Sequence, residues 1–374
     1  MYLNFIKRKL IFIAKRKLST VKSLNNLKQS TNTLIVHFKH ELSDTQIYPF
    51  YFYRSQLKQQ HGIKFQEINL SHLDLPNQDL QSQAAQNSHV KRIYFQHGFM
   101  MPDHELEACL KHLKQVFPAA KIALMDWFAP LTIKYATVAD PYIDQYLKKQ
   151  TYKNFSDYSK TTIGDTNLSD YYAKRHQIDL PETTFTPPVG FEQKIRLWPN
   201  FYLSPQMVDL FLGSPPKSNQ RAIDLHARIA TKGCDWYSAM RQESADAIKP
   251  LTGYTIASKG RVRRHKFFDE LRDSKIVFSP FGYGEVCWRD YEAYATGSLL
   301  LKPSMDHLKT FSEDFVKDET YVELNWDLAD LKQNLDTLLA DETLRKKITL
   351  NAFNYYHQLL SSDEIPTKIG ATFA

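Results

Sequence analysis

Short apolar segments alternate with amphipathic segments along the first third of the chain. Buried strands are predicted at 33–38, 63–68, 90–95 and 121–125, and helices between them at 44–60 and 105–116. Gly62 supplies a glycine stop for the first of these helices. Strands that alternate with helices predict a parallel, doubly wound sheet, and such sheets bind ligands beyond the carboxyl ends of their strands.

The same alternation returns after Arg221. Strands are predicted at 221–229, 253–257, 275–279 and 298–301, and helices at 236–248, 285–295, 328–339 and 344–360. Before it, Ile143 to Gln150 has the spacing of an amphipathic helix, with Asp144 and Lys148 as a solvated pair. Residues 151–219 show weak periodicity and contain seven prolines, so the later part of this stretch is interpreted as a linker.

At 374 residues the chain is long for one core, and two α/β domains are expected. The expected divisions are a basic arm at 1–30, a first Rossmann-like domain at 31–200, a linker at 201–220, a second Rossmann-like domain at 221–345 and a C-terminal helix at 346–374 that crosses back to the first domain.

The net charge of +7 is concentrated at the N-terminus. Residues 1–28 hold eight Lys and Arg and no acid, so the other 346 residues carry a net charge of −1. A neutral body argues against a nucleic-acid partner, which needs a basic face on the folded domain. The three cysteines lack metal-ligand spacing, which predicts buried free thiols in a reducing compartment and no metal site.

The basic segment has an amphipathic pattern. Leu3, Ile6, Leu10 and Ile13 fall three or four residues apart, and basic clusters lie between them. This pattern predicts a helix on an anionic membrane surface, through Lys7, Arg8, Lys9, Lys15, Arg16 and Lys17. The apolar run 10–14 is too short for a signal peptide or a membrane span. The expected location is cytoplasmic and peripheral, on the inner face of the membrane; a disordered tail or a helix docked on the body are the alternatives.

Residues 279–305, SPFGYGEVCWRDYEAYATGSLLLKPSM, carry the densest candidate chemistry. Gly282 and Gly284 form a loop between a strand and a helix, where backbone N–H groups suit a phosphate or a sugar edge. In a helix starting at Glu285, the side chains of Glu285, Arg289 and Glu292 share one face. This face suits a nucleotide sugar, with Glu292 on ribose hydroxyls and Arg289 on phosphate or on Glu285. An ordinary βαβ unit with a surface ion pair is the alternative.

This run resembles the donor-binding motif of bacterial GT-B glycosyltransferases, in particular a group with the pattern SPFG-x-GE-x-x-x-RD-x-EA…G…L-x-KP-x-M, and distantly the exostosin-type enzymes. The resemblance is close over 221–326. It implies two Rossmann-like domains facing each other across a cleft, and transfer of a sugar from a nucleotide sugar to a glycan or lipid-linked acceptor. The implied setting is bacterial cell-surface polysaccharide synthesis, of lipopolysaccharide or capsule. Retaining members often carry a Glu-x7-Glu pair, whereas six residues separate Glu285 from Glu292, so the stereochemistry stays open.

The resemblance assigns the diphosphate leaving group to Arg228, Lys232 and Arg264. The sequence has no Asp-x-Asp pair, so a metal-independent reaction without a cofactor is expected. In the first domain His97 and Asp126 each follow a predicted strand, and either could act as a general base near the acceptor hydroxyl. Glu285 is a third catalytic candidate. Alternative functions are a nucleotide-sugar epimerase or inactive glycan-binding protein of the same architecture, and a nucleic-acid-binding protein that uses the arm.

Overall fold

The computed structural model describes residues 2–21, 24–38, 44–70, 86–216 and 220–373. The helices of these ranges are α1 (Tyr2–Ser19), α2 (Asp44–Phe52), α3 (Arg54–His61), α4 (Asp103–Val116), α5 (Ala136–Ala139), α6 (Asn167–His176), α7 (Val208–Phe211), α8 (Asp235–Asp246), α9 (Arg264–Arg272), α10 (Trp288–Thr296), α11 (Leu331–Ala340), α12 (Glu342–Ser361) and α13 (Glu364–Gly370). The strands are β1 (Thr20–Val21), β2 (Thr33–His37), β3 (Phe65–Asn69), β4 (Arg92–Gln96), β5 (Lys121–Asp126), β6 (Gln145–Lys148), β7 (Gln150–Tyr152), β8 (Thr162–Ile163), β9 (Glu182–Thr183), β10 (Ile195–Leu197), β11 (Ile223–His226), β12 (Ile256–Ala257), β13 (Ser274–Phe278), β14 (Leu299–Pro303), β15 (Leu308–Thr310) and β16 (Val322–Leu324).

Two parallel sheets organise the chain. The first has the strand order β1-β3-β2-β4-β5-β6-β10 and the second the order β12-β11-β13-β14-β16. Both are flanked by helices, and central strands such as β2, β3, β13 and β14 are almost entirely buried, as parallel strands covered on both faces must be. The α/β class with two Rossmann-like domains is therefore confirmed. The strand order reverses between β2 and β4 in the first sheet and between β11 and β13 in the second, and such switch points are where open α/β sheets bind ligands.

The two sheets face each other through their carboxyl ends. Strand β7, which follows β6, pairs antiparallel with β15, which follows β14, and Tyr152 lies opposite Leu308. The loop after β5 meets the loop after β13 where Ala129 contacts Gly284. The predicted cleft between facing domains is thus narrow at this point, because strand-end loops of both sheets touch.

The stretch predicted as a linker is packed rather than extended. In residues 201–216, the side chains of Tyr202, Leu203, Met207 and Phe211 have no exposed area. Phe211 and Tyr202 each lie 5.0 Å, ring to ring, from Tyr356 of α12. This segment is therefore part of a core shared by both domains.

The last two helices contact the first domain. The hydroxyl of Tyr53 donates to the carbonyl of Leu360 at 3.0 Å, and the amine of Lys121 donates to the carbonyl of Phe373 at 2.7 Å. Gly370 lies so close to His61 that a β-carbon would be 2.2 Å from the imidazole ring. Helix α13 thus packs directly on α3.

Helix α1 is docked on the first domain and continues into its sheet as β1, which pairs with β3. Phe12 is buried, with its ring 5.2 Å from each of the rings of Tyr48 and Tyr51. Arg16 donates to Glu67 at 2.7 Å, and Arg8 pairs with Asp209. Two of the six cations predicted to face a membrane are therefore bound to carboxylates of the body.

The other four cations of that set, Lys7, Lys9, Lys15 and Lys17, are exposed. So are the apolar side chains of Leu10 and Leu18, at 60% and 83% of their full area. Among the described residues, no helix is long and apolar enough to cross a bilayer.

The helix predicted at 143–150 is wrong. Residues 145–148 form β6, between β5 and β10, and Lys148 is completely buried. Asp144 accepts a hydrogen bond from the backbone N–H of Ile122 instead of pairing with Lys148. Asp144 and Lys148 are four residues apart, which is the spacing of a helical ion pair. Lys148 instead pairs with Asp126, a partner that spacing along one element does not show.

Candidate functional site

Helix α10 begins later than predicted, at Trp288. Its start is fixed by Asp290, whose carboxylate accepts from the backbone N–H of Cys287 at 2.8 Å. Asp290 also accepts from the Ser279 hydroxyl at 2.6 Å and pairs with Lys302 at 3.2 Å, and both charged side chains are fully buried. This buried group holds the glycine loop to the ends of β13 and β14.

Glu285 therefore lies in the loop before α10, and the prediction that it shares a helix face with Arg289 and Glu292 is wrong. Glu285 is fully buried. One carboxylate oxygen, Oε1, lies 3.3 Å from His307 Nε2, and the other, Oε2, has no hydrogen-bond partner. A buried carboxylate oxygen without a donor is costly, which indicates a place where a ligand donates a hydrogen bond.

The two loop glycines differ in what surrounds them. A β-carbon on Gly284 would be 2.0 Å from the carbonyl oxygen of Ala129, so this position needs glycine for the contact between domains. A β-carbon on Gly282 would meet Cys287 Sγ at 3.3 Å, a much milder approach. Gly284 thus serves the contact between domains, and any contact of Gly282 or Gly284 with a donor stays a prediction.

Arg289 and Glu292 lie one turn apart on α10, near the switch point between β11 and β13. Arg289 donates to the carbonyl of Arg228 at 2.6 Å, while its Nε is buried without a partner. Burial, with the nearby charge of Arg241, lowers the pKa of Arg289. Burial raises the pKa of Glu292, although Arg289 and Arg264 act in the opposite direction. Arg289 and Glu292 thus share a face of α10, as their spacing predicted, and Arg264 is near enough to act on the charge of Glu292.

Arg228 is held differently from the prediction. Its guanidinium makes two hydrogen bonds to Glu270, at 2.6 and 2.8 Å, and donates to the carbonyls of Lys259 and Gly260. In this arrangement it fastens the loop after β11 to α9, and its contact with a diphosphate stays a prediction. Lys232, farther along the same loop, is exposed.

His226, at the carboxyl end of β11, is a candidate that motif reasoning left out of the site. It is fully buried, and neither ring nitrogen has a hydrogen-bond partner, since Glu270 is 3.6 Å from Nε2. Burial and the charge of Arg289 lower the pKa of His226 to about 4, so the imidazole is neutral. It can offer one donor and one acceptor to a ligand at the switch point.

In the first domain, Asp126 is the centre of a buried cluster. Its carboxylate accepts from Lys148 at 2.9 Å, from the hydroxyl of Tyr146 at 2.7 Å and from the backbone N–H of Phe128 at 3.0 Å. Burial alone would raise the pKa of Asp126, but Lys148 and His97 hold it well below its usual value. A carboxylate so fully occupied is a poor proton acceptor, so Asp126 positions its neighbours.

His97 belongs to the same cluster. Its Nε2 lies 3.4 Å from Asp126 Oδ1 and its Nδ1 lies 2.8 Å from the carbonyl oxygen of Gly98. The ring is buried and stacks on Trp127 at 5.8 Å. Both ring nitrogens thus have oxygen partners within the protein, so His97 is already engaged in this cluster.

Lys148 lies between the Asp126 cluster and Glu285 of the second domain. Burial lowers its pKa, while the carboxylates of Asp126 and, across the domain boundary, Glu285 act in the opposite direction. Lys148 and Tyr146 were missed because their strand was predicted as a helix. Arg241, which donates to the carbonyls of Ala230 and Phe281 at 2.9 Å each, was missed because a single arginine in a helix carries no sequence signal.

Within the described ranges, no group of three or more His, Cys, Asp or Glu side chains could hold a metal ion.

No protein-family model and no curated protein matches the sequence. Solved structures resemble it weakly over most of its length. They include a glycosyltransferase from Rickettsia africae (12% identity, 91% of this chain and 97% of that chain, TM-score 0.46). An α-glucosyltransferase in complex with UDP-glucose and DNA containing an abasic site gives 7% identity, 91% and 99% coverage and a TM-score of 0.49. OtsA in its apo form gives 10%, 92% and 99%, and 0.47. At these values no function is transferred to this chain.

Proposed function

We propose that the protein is a glycosyltransferase that binds a nucleotide sugar at the switch point of its second sheet and transfers the sugar to a glycan or lipid-linked acceptor. The observation that carries the proposal is a set of buried, unpartnered polar atoms on the elements that meet at the switch point: both ring nitrogens of His226 at the end of β11, Arg289 Nε on α10 and Glu285 Oε2 in the loop before α10. Open α/β sheets bind ligands at such a place, and each of these atoms gains a hydrogen bond when a polar ligand arrives.

The chemistry of these atoms suits a nucleotide sugar. Arg289 is a donor for a phosphate oxygen, and Glu292, beside it on α10, accepts from ribose hydroxyls. Glu285 lies at the boundary between the domains, where a transferred sugar would meet its acceptor. Its free oxygen accepts from a sugar hydroxyl or, in an inverting reaction, takes the proton of the acceptor. Lys232 and Arg264 supply positive charge for the departing diphosphate in place of a metal ion.

Of the candidates in the first domain, Asp126 and His97 have a positioning role, since both belong to the cluster that holds Lys148. The ionised Asp126 fixes Lys148 at the carboxyl end of β6. Lys148 then places a positive charge on the acceptor side of Glu285. The acceptor is proposed to be a surface glycan or its lipid-linked precursor, in bacterial lipopolysaccharide or capsule synthesis. The four exposed lysines of α1 and the exposed Leu10 and Leu18 would keep the enzyme on the anionic cytoplasmic face of the membrane.

The test is a thermal-shift screen against nucleoside diphosphates and nucleotide sugars. A ligand at one hundred times its Kd stabilises the folded state by about 2.7 kcal/mol. We expect one nucleotide class to raise the Tm, and both Arg289→Ala and Glu292→Ala to abolish the shift. Arg196→Ala, at an exposed arginine of the first domain, is the matched control that should keep it. No shift with any nucleotide, or an equal shift in all variants, would contradict the proposal.

The reaction itself is tested with the nucleotide sugar that binds. Release of nucleoside diphosphate should depend on an added glycan acceptor and continue in EDTA. NMR of the product's anomeric proton then separates retention from inversion. Donor binding with no transfer would favour an inactive sugar-binding protein, and transfer to DNA would replace the glycan acceptor.

A further inference from the structure

A second cavity lies between α1 and α2, and it shares no residue with the donor site. Its volume is about 460 Å³. It is lined by aromatic and apolar side chains, by three cations and by one carboxylate: Lys7, Arg8, Ile11, Phe12, Lys15, Tyr48, Tyr51, Phe52 and Asp209. An apolar wall with a cationic rim is suited to a ligand that is anionic at one end and hydrocarbon at the other.

The aromatic side chains of the cavity wall pack against one another. Phe12 is locked edge-on between Tyr48 and Tyr51, and the rings of Tyr48 and Phe52 lie 6.0 Å apart. Arg8 lies over the ring of Phe52 at 5.9 Å and pairs with Asp209, so its charge is already matched. These contacts fix the aromatic side chains that line the cavity.

The rim of the cavity carries the positive charges of Lys7 and Lys15, which the Arg8–Asp209 pair does not neutralise. Lys7, Ile11 and Lys15 are four residues apart and so form one stripe along α1. Among the described residues, neither the Lys7 nor the Lys15 amine has an ion-pair partner, whereas Arg8 and Asp209 cancel. The cavity therefore has two uncompensated positive charges, one on each side of an isoleucine that is 43% exposed.

The position of the cavity favours a membrane lipid as the source of the anion. Leu10 and Leu18 are exposed on the same helix, and Lys9 and Lys17 add positive charge. A helix with this surface lies in the interface of an anionic bilayer, which brings the rim to the level of lipid phosphates.

We infer that the cavity between α1 and α2 binds one anionic phospholipid, with the headgroup phosphate between Lys7 and Lys15 and an acyl chain against Ile11, Phe12 and Phe52. The inference rests on the proposed position of the arm at a membrane surface. The lipid would make the docked helix part of a defined lipid site, beyond a general attraction to negative charge.

The test uses three soluble probes titrated by calorimetry: dihexanoyl phosphatidylglycerol, dihexanoyl phosphatidylcholine and inorganic phosphate. The two lipids are kept below their critical micelle concentrations. We expect the phosphatidylglycerol to bind one site saturably, and the other two at least about tenfold more weakly, because one lacks the net charge and the other the chains.

Two double variants separate a site from a charged surface. Lys7→Gln with Lys15→Gln removes the rim amines. Lys9→Gln with Lys17→Gln removes the same charge, at the same spacing of eight residues, from the other side of the helix. At about 1 kcal/mol for each lysine, the first variant should weaken binding on the order of 30-fold, and the second should leave it nearly unchanged. Ile11→Gln should weaken phosphatidylglycerol binding and leave that of phosphate unchanged.

Equal losses in the two double variants would overturn the inference in favour of diffuse charge. If inorganic phosphate bound as tightly as phosphatidylglycerol, the cavity would be a site for free anions and the inference would be overturned. If phosphatidylcholine bound as tightly as phosphatidylglycerol, the cavity would be a purely apolar groove, which would also overturn it. Absence of saturable binding would also overturn it. The nucleotide thermal shift is measured on the same variants: it should persist in all of them, so a failure of the donor site is distinguishable from a failure of the lipid site.

Discussion

Gly284 and Ala129 touch across the domain boundary so closely that a β-carbon on Gly284 would be 2.0 Å from the Ala129 carbonyl oxygen. The residue after Gly284 is Glu285, and the loop that contains Ala129 begins just after Asp126. The contact therefore sets the distance between the Glu285 carboxylate and the cluster around Asp126.

Replacing Gly284 with alanine should push the two loops apart. Overpacking of this kind costs about 1 to 3 kcal/mol, and transfer should fall further than donor binding, because only the facing geometry is lost. Urea unfolding, the nucleotide thermal shift and a transfer assay measure the three effects. Gly282→Ala is the control for the unfolding measurement, since its β-carbon meets only a sulfur at 3.3 Å. Full transfer activity in Gly284→Ala would show that the contact does not govern the site.

Arg16→Met should loosen α1 from the body. Glu67 is fully buried, and it also accepts from Tyr51 and pairs with His37 at 3.0 Å. Burial alone would raise the pKa of Glu67, but the hydrogen bond from His37 and the charge of Arg16 keep it below its usual value. Loss of one partner of a buried pair costs 3 to 5 kcal/mol, and because His37 remains we expect about 2 kcal/mol.

The measurement is hydrogen exchange of the α1 amides together with urea unfolding. Lys17→Met, one position along on an exposed side chain, should change neither. Unchanged α1 protection in Arg16→Met would mean that Phe12 alone holds the helix.

Asp314 should make stability depend on pH. It is fully buried and accepts from Tyr291 at 2.8 Å and Tyr356 at 2.6 Å, and burial raises its pKa to about 6. Because the folded-state pKa exceeds the unfolded one, the folded protein binds the proton more tightly. The free energy of unfolding should therefore fall by about 3 kcal/mol as the pH rises from about 4 to about 6.

Urea unfolding of Asp314→Asn across this pH range tests the point, because the variant should lose this part of the pH dependence. Asp165→Asn, at an exposed aspartate, should keep it. An identical slope in all three proteins would assign the pH dependence to other groups.

Lys149 is a buried amine with a measurable cost. Its Nζ donates to Thr45 Oγ1 at 2.8 Å and lies 4.1 Å from the ring centre of Phe201, and burial lowers its pKa to about 7. A lysine whose folded-state pKa is lowered destabilises the folded protein when both states are charged, and the penalty disappears as pH rises from about 7 toward 10.5. Lys149→Met should therefore raise the free energy of unfolding at pH 6 by a few kcal/mol.

The gain should shrink at pH 10, where the unfolded amine is also losing its proton. Lys153→Met, at an exposed lysine, is the control. A destabilised Lys149→Met at pH 6 would show that the hydrogen bond to Thr45 outweighs burial of the charge.

Four strands of each sheet were predictable because each carries its own apolar pattern, whereas β6 was predicted as a helix and β1, β10 and β16 were not predicted. Strand β2 and helix α4, for example, lie within a residue or two of the predicted bounds. The grouping of Arg289 with Glu292 followed from helical spacing alone. Glu285 was misplaced because the helix start depends on Asp290, whose capping bond to Cys287 has no distinctive sequence signal beside the competing pattern of charges.

What sequence reasoning could not supply was the pairing of charges between elements. Lys148 pairs with Asp126, Arg228 with Glu270 and Arg16 with Glu67, and in each pair the partners are more than twenty residues apart. Spacing predicts which residues share a face of one element, but the partner on another element is set by tertiary packing. The roles of Arg228 and Arg16 changed for this reason.

The packing of α13 on α3 gives synthesis of the chain an order of events. The first domain leaves the ribosome early, yet Tyr94 lies under Phe373, at 5.4 Å between the rings, and His61 lies against Gly370. Its apolar surface stays uncovered until the residues of α12 and α13 have been made, by which time the second domain has emerged as well. We expect the two halves to complete folding together, because a chain that stops before α13 leaves this apolar surface of the first domain exposed.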